Sequence, residues 1–254
     1  MRPGVVGLVP AAGTASRLPG VTGSKELLPV WRPELRPDTD PQPAIRCLLS
    51  ALETAQVGRS VIVIRTGKED IPSALGTATG GGMRLEYVHT EGTPSPPFTL
   101  DAAVPKLADS TVVLGFPDIL FEPTDAVARL LDRLGGEETD ILLGLFPHPE
   151  TRRADVVSLG LDDRVVAVDP RSPPGSGRLT WGLAAWRSGF SHFLHDWVGE
   201  LDPASSDARR LGVGHAINAA IERGLSVRGE RISDAPFLDV GTPEALAEAY
   251  RRLA

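Results

Sequence analysis

The feature that most constrains this chain is a recurrent unit. A short apolar, β-branched run is followed by a turn of small residues and then by a stretch with helical spacing. Residues 5–9 (VVGLV) form the first run, and residues 11–13 (AAG) break it. Residues 43–56 carry Ile45, Leu48, Leu49 and Leu52 at intervals that fall on one helical face. The runs 60–65 (SVIVIR), 111–116 (TVVLGF) and 140–146 (DILLGLF) lack polar alternation, so each strand is expected to be covered on both faces. Residues 124–134 supply another helix between the last two. Strands covered on both faces need helices above and below. The pattern therefore predicts a three-layer α/β/α fold around a mainly parallel mixed sheet.

After Pro147 the texture changes. Short strands are expected at residues 156–161, 164–168 and 179–186, with the Pro/Gly/Ser-rich residues 171–177 as an exposed loop between the last two. Helices follow at about residues 188–197 and 208–223. Thr242-Pro243-Glu244 reads as an N-cap with proline at N1 before a final helix. The Pro/Asp-rich residues 32–43 read as a second loop. A length of 254 residues suits a single domain, divided into halves at residues 1–146 and 147–254.

Composition removes several function classes. A net charge of -7 opposes a role in wrapping nucleic acid, although small anions need only a local positive site. No segment approaches the roughly 18 consecutive apolar residues of a membrane span, and residues 1–9 are too short and interrupted for a signal peptide. The only cysteine, Cys47, lies in a helical apolar pattern. It can make no internal disulfide, so a cytoplasmic protein is expected. Lysine is scarce, at 3 against 23 arginines.

Three stretches carry candidate chemistry. In residues 9–30 (VPAAGTASRLPGVTGSKELLPV), a strand ends in a small-residue turn whose backbone N–H groups could approach a phosphate. Arg17 and Lys25 follow. They suit a polyphosphate, but on composition alone a tight turn with two surface cations is the favoured reading, since small-residue turns are common. The stretch is neither a Walker A loop nor a dinucleotide fingerprint, because Gly13 stands alone between residues 8 and 19. Asp118 sits just beyond the carboxyl end of an expected strand, the edge where open α/β sheets bind ligands. It fits a Mg²⁺ carboxylate or a turn cap after Pro117. Asp239, before Gly241-Thr242-Pro243, fits a second such carboxylate or an aspartate favourable to the last helix's dipole.

Taken together, Pro10–Arg17, Lys25–Val30, Gly115–Asp118 and Phe237–Leu246 resemble the sugar-phosphate nucleotidyltransferases in order and spacing. That family includes glucose-1-phosphate thymidylyltransferases and UTP–glucose-1-phosphate uridylyltransferases. The resemblance covers nearly the whole chain and implies a Rossmann-like nucleotidyltransferase domain and a Mg²⁺-dependent enzyme. Its substrates would be a nucleoside triphosphate, with dTTP or UTP favoured, and a hexose 1-phosphate. Products would be a nucleotide-sugar and pyrophosphate. By the same resemblance, Arg17 would hold the leaving pyrophosphate, Lys25 would bridge phosphates at the reacting centre, and Asp118 and Asp239 would hold Mg²⁺. Nucleotide contacts would come from Pro10, Ala11, Ala12, Gly13, Thr14, Ala15, Ser16 and Thr99. Sugar-phosphate contacts would come from Asp155, Arg171, Trp181 and Gly182. Partners implied are the two substrates, with no nucleic acid and no membrane. A homo-oligomer is compatible, since family members often form dimers or tetramers.

The departures fall in the loops. Ala15 replaces the family's second loop glycine, which restricts the loop. A proline-rich stretch (TEGTPSPPFTLDAA) replaces the usual base-reading glutamine and glycines. Asp169 stands where the family has the lysine of E-K-P, so either Arg171 or Arg178 serves the acceptor or the acceptor differs. Ala154-Asp155 replaces a tyrosine-glycine pair. Trp181 could stack on a sugar or be half-buried. His192 and His195, three apart on an expected helix, read as packing rather than metal ligands. Asp162-Asp163 reads as a turn between strands. Asp101 either faces the pocket or starts a helix. Two further readings stay open: the same chemistry on an atypical phosphate or phosphonate acceptor, and a catalytically silent nucleotide-binding relative.

Overall fold

The computed structural model describes residues 1–14, 23–30, 41–107, 109–148, 154–173 and 178–241, with 243, 246, 247 and 249. In chain order the first half comprises β1 (Val5–Pro10), β2 (Pro29–Val30), β3 (Gln42–Pro43), α1 (Ile45–Thr54), β4 (Arg59–Arg65), α2 (Asp70–Leu75), β5 (Arg84–Thr90), α3 (Pro96–Asp101), α4 (Val104–Leu107), β6 (Thr111–Gly115), β7 (Ile119–Leu120) and α5 (Ala126–Gly136). The second half adds β8 (Ile141–Pro147), β9 (Ala154–Leu159), β10 (Val165–Ser172), β11 (Leu179–Trp186), α6 (Ser188–Gly199), α7 (Val213–Glu222), β12 (Val227–Arg231) and β13 (Leu238–Asp239).

The α/β expectation holds. Strands β5, β4, β1 and β6 run parallel as neighbours. β11 lies antiparallel between β6 and β8, and β12 runs parallel beside β8. The hairpin β9–β10 joins at the start of β11, where Leu179 faces Val157. The apolar runs are buried because each face of the sheet carries its own helical layer. One core joins Ile62, Ile64, Val113, Leu142 and Phe146 to Leu48 and Leu52 of α1 and to Leu130 and Leu134 of α5. The other joins Leu8, Val61, Leu114, Leu143 and Trp186 to Leu100, Phe190, Leu194 and Ile217 on α3, α6 and α7. Cys47 is buried on α1, as its apolar surroundings predict.

Several elements depart from the sequence pattern; β10, for one, runs on to a buried Ser172, so the loop expected from residue 171 begins later. β5 (RLEYVHT) and β12 (VRGER) carry too many polar residues to read as buried strands; pairing with β4 and β8 makes them strands. α5 starts at Ala126 rather than Thr124 and runs to Gly136. The helix expected over residues 208–223 is two pieces: a 3-10 turn at Ala208–Arg210, then α7 from Val213. Gly212 is extended there (φ -111°, ψ 171°), and the Nδ1 of His215 accepts its N–H at 2.9 Å. Glycine is poor in a helix interior, so the break falls where helix continuation is weakest. Residues 31–40, 174–177, Thr242 and Glu244 lie outside the described residues, so both expected loops and the last helix are covered only in part.

The two histidines pair with carboxylates. The Nδ1 of His195 is 2.8 Å from Asp101, tying α6 to the end of α3, and His192 is 3.5 Å from Asp109. Asp101 thus ends a helix rather than starting one. Asp162 and Asp163 form the expected turn, both with positive φ. Hydrogen bonding to Asp101, then its charge, raises the His195 pKa. A raised folded-state value adds stability below the unfolded value of about 6.5, and that stability is lost as pH rises through the folded value. The wild type is therefore expected to melt on the order of 1 °C above His195→Gln near about pH 5.5. The gap closes at alkaline pH, as thermal melts across pH will read. No helix among the described residues is long and apolar enough to cross a membrane.

Candidate functional site

Because β1, β4 and β6 are parallel, their carboxyl ends share one edge of the sheet, and a cavity of about 790 Å³ opens there. Pro10, Ala12, Gly13 and Thr14 line it from the segment leaving β1. The Ala11 N–H bonds the Val63 carbonyl at 2.8 Å, which keeps the start of this segment against β4. Ala15, Ser16 and Arg17 lie outside the described residues.

Lys25, Asp118 and Asp239 line the same cavity from three distant parts of the chain. Lys25 begins a 3-10 turn, Lys25–Leu27. Asp118 follows β6 by three residues. β7 and β13 then pair antiparallel, Asp239 opposite Ile119, and the Val240 N–H bonds the Asp118 carbonyl at 2.9 Å. This two-residue ladder sets the two aspartates side by side. The Gly241 N–H holds one oxygen of Asp239 at 2.8 Å. The ammonium of Lys25 forms an ion pair with Asp118, and both side chains are mostly buried. Burial alone would lower the Lys25 pKa. Asp118 beside it, with Glu26 and Asp239 in range, outweighs burial and raises it, so the ammonium is charged at neutral pH.

The sheet order separates two walls. On the β4–β5 side stand Arg65, Thr93, Ser95 and Thr99. Thr99 is 7% exposed and its hydroxyl bonds that of Thr93. On the β9–β11 side stand Phe116, Ala154, Asp155 and Arg209. Trp181 is buried rather than open to a ligand. Its Nε1–H donates to Asp155 at 3.2 Å, and its ring tilts against Phe116 with centroids 5.5 Å apart. It supports two lining residues from behind. Gly182 points to the other face of the sheet, where a Cβ would stand 3.0 Å from the ring of Phe237; glycine is needed there for close packing. The side chain of Arg171 lies outside the described residues. Arg178 and Asp169 pair loosely with each other at 4.0 Å away from the cavity lining, and the Asp169 carboxylate accepts from Ser172.

Sequence reading did not single out Arg209, Arg65, Thr93, Ser95, Glu26 or Lys68. Arg209 lines the wall from the 3-10 turn Ala208–Arg210 that precedes α7. Glu26 lines the cavity although it is only 1% exposed, and Lys68 is buried behind it. Burial pushes Glu26 up and Lys68 down, each opposed by the other's charge. The scarcity of lysine was the available signal: two of the three lie here.

The donor set fits Mg²⁺. That ion takes one or two carboxylates and completes its octahedron with water and substrate phosphate, which Asp118 and Asp239 at one cavity can provide. Among the described residues, no group of three or more His, Cys, Asp or Glu could hold a metal. The pair therefore suits an ion shared with a phosphate chain rather than a closed structural site.

No family model matches the chain, and no curated protein matches it. Solved structures do match in fold. A protein assigned as a glucose-1-phosphate thymidylyltransferase from Bacillus anthracis, solved in complex with a sucrose, superposes with a TM-score of 0.81 at 19% identity, over 98% of this chain and 95% of that one. A UDP-glucose pyrophosphorylase from Acinetobacter baumanii gives 0.75 at 13% identity, over 96% and 90%. An inositol-1-phosphate CTP transferase from T. maritima gives 0.71 at 17%, over 98% and 95%. The fold is that of the sugar-phosphate nucleotidyltransferases, as the motifs imply.

Proposed function

We propose that this chain is a nucleotidyltransferase that moves a nucleoside monophosphate from a nucleoside triphosphate to a sugar 1-phosphate and releases pyrophosphate. The observation that carries this reading is the convergence of Lys25, Asp118 and Asp239 on one cavity walled by Pro10, Ala12, Gly13 and Thr14. A phosphate oxygen of the acceptor attacks the α-phosphorus, and the bond to the bridging oxygen breaks. The electron pair leaves with pyrophosphate. No covalent enzyme intermediate is needed, so the protein's task is alignment and charge neutralisation. The backbone of residues 11–14 would receive the triphosphate. Lys25 would pass from Asp118 to the phosphates and stabilise charge developing there. Asp118 and Asp239 would hold Mg²⁺, which when bound neutralises phosphate charge.

The β4–β5 wall, with Thr93 and Thr99, would take the base, and dTTP or UTP is the favoured donor. The β9–β11 wall would take the acceptor, with a hexose 1-phosphate favoured. Among the described residues Arg209 is the cation lining that wall, which makes it the candidate phosphate anchor in place of the absent lysine at Asp169. Arg209→Ala is expected to raise KM for the acceptor by about 10- to 100-fold and leave KM for the triphosphate within about 3-fold. Equal rises for both would sink the assignment. Asp155 on the same wall favours a second reading, an acceptor that is not a common hexose 1-phosphate.

The test is pyrophosphate release with Mg²⁺ across five nucleoside triphosphates and a panel of sugar, cyclitol and alditol phosphates. Release with one pair that disappears in Asp118→Asn supports the reading. Triphosphate binding without release on any acceptor would overturn it in favour of a silent, nucleotide-binding relative.

A further inference from the structure

Of the two lysines at this site, only Lys25 faces the cavity. Lys68 lies beneath it, 7% exposed, on the turn that follows β4. An ammonium has three N–H donors, and each finds a partner here: both oxygens of Glu26 at 2.7 Å and the Ala11 carbonyl at 2.8 Å. Glu26 is 1% exposed and directly follows Lys25. Ala11 directly precedes the cavity-lining residues Ala12 and Gly13.

The same turn reaches the other neighbour of Lys25. Asp70 accepts the Ser24 N–H at 2.8 Å and the Ser24 hydroxyl at 2.7 Å. Burial alone would raise the Asp70 pKa, but these bonds hold it below its ordinary value, so it accepts as a carboxylate. The turn itself is closed by the Lys68 N–H on the Arg65 carbonyl at 3.1 Å and leads into α2 through the Ile71 N–H on the Lys68 carbonyl at 3.2 Å. Gly67, with φ +89°, supplies the left-handed conformation that lets the chain turn there.

A buried ion pair is a poor way to add stability, because desolvation of both charges offsets their attraction, and an apolar pair of similar size does as well. What it adds is direction. Here the directed bonds join the two pieces of backbone that must meet one phosphate chain. We propose that Lys68, together with Glu26 and Asp70, is a positioning group that fixes Lys25 relative to residues 11–14. The inference rests on the phosphate chemistry proposed above and adds residues that act through Lys25. A loss of register of about 1 Å at a phosphoryl-transfer site is worth about 10²-fold in rate.

The test is a thermodynamic cycle. Glu26→Met with Lys68→Met removes both charges together, so neither is left buried and unpaired. It is made in the wild type and in Lys25→Ala, and kcat, KM and Mg²⁺·triphosphate affinity are measured along with melting temperature. In the wild-type background, kcat is expected to fall about 10²-fold with Tm held within about 5 °C. In the Lys25→Ala background, the same pair of changes should cost less than about 3-fold in kcat and in affinity, because the group acts through Lys25. Losses of equal size in both backgrounds, or wild-type kcat in the double variant, would overturn the proposal. If the double variant fails to fold, Asp70→Asn carries the same test. It should lower kcat about 10-fold in the wild type and have no further effect in Lys25→Ala. Additive losses with an active wild type overturn the positioning role alone. A wild type that neither binds a triphosphate nor releases pyrophosphate overturns the proposed function and this inference with it.

Discussion

Asp118→Asn is expected to lower pyrophosphate release by about 10³-fold while the protein melts within a few degrees of wild type. The substitution keeps the shape of the side chain and an oxygen that can accept from Lys25. It removes the negative charge that a hard cation needs. Val240 is held by the Asp118 main-chain carbonyl, not by its side chain, so the short β7–β13 ladder and the placement of Asp239 survive the change. A steady-state assay at saturating substrates, with thermal melts alongside, reads both quantities. Residual activity within 10-fold of wild type would remove Asp118 from the reaction.

Lys25→Met should cost about 10²- to 10³-fold in kcat, by a different route. Methionine fills the aliphatic space and removes the ammonium that neutralises Asp118 in the free protein. The two variants are separable by titration with Mg²⁺. Raising its concentration should recover part of the activity lost in Asp118→Asn, where affinity for the ion is weakened. It should recover little in Lys25→Met, where a directed donor to the phosphates is gone. Equal recovery in both would mean that Lys25 acts only through the ion.

Much of the site was legible because its residues occupy positions that a linear pattern marks. Lys25 lies in a short motif, Asp118 follows an apolar run, and Asp239 precedes a turn that opens a helix. What the pattern left out follows a physical rule. Arg209 falls inside the segment expected as one helix, but the extended backbone at Leu211 and Gly212 separates its 3-10 turn from α7. For Trp181 the pattern leaves a sugar platform and a buried ring open, and the structure takes the second: its indole N–H donates to Asp155 and its ring packs on Phe116. Gly182 sits where the β11 register shifts between Trp181 and Leu183, and it packs against Phe237 of the opposite core.

By itself, the sequence determined the layer architecture, since apolar runs without polar alternation can be satisfied only by a sheet covered on both faces. It also marked Lys25, Asp118 and Asp239 as candidates to meet phosphate and a hard cation. The tertiary structure alone decided which of them meet. Asp118 and Asp239 become neighbours through a two-residue ladder between distant segments, and Lys68 reaches Glu26 and Ala11 across a folded turn. Such contacts leave no local signature. Their partners are chosen by the sheet order, which places three parallel carboxyl ends on one edge, and by burial, which obliges a charge beneath the cavity to find every bond it can make.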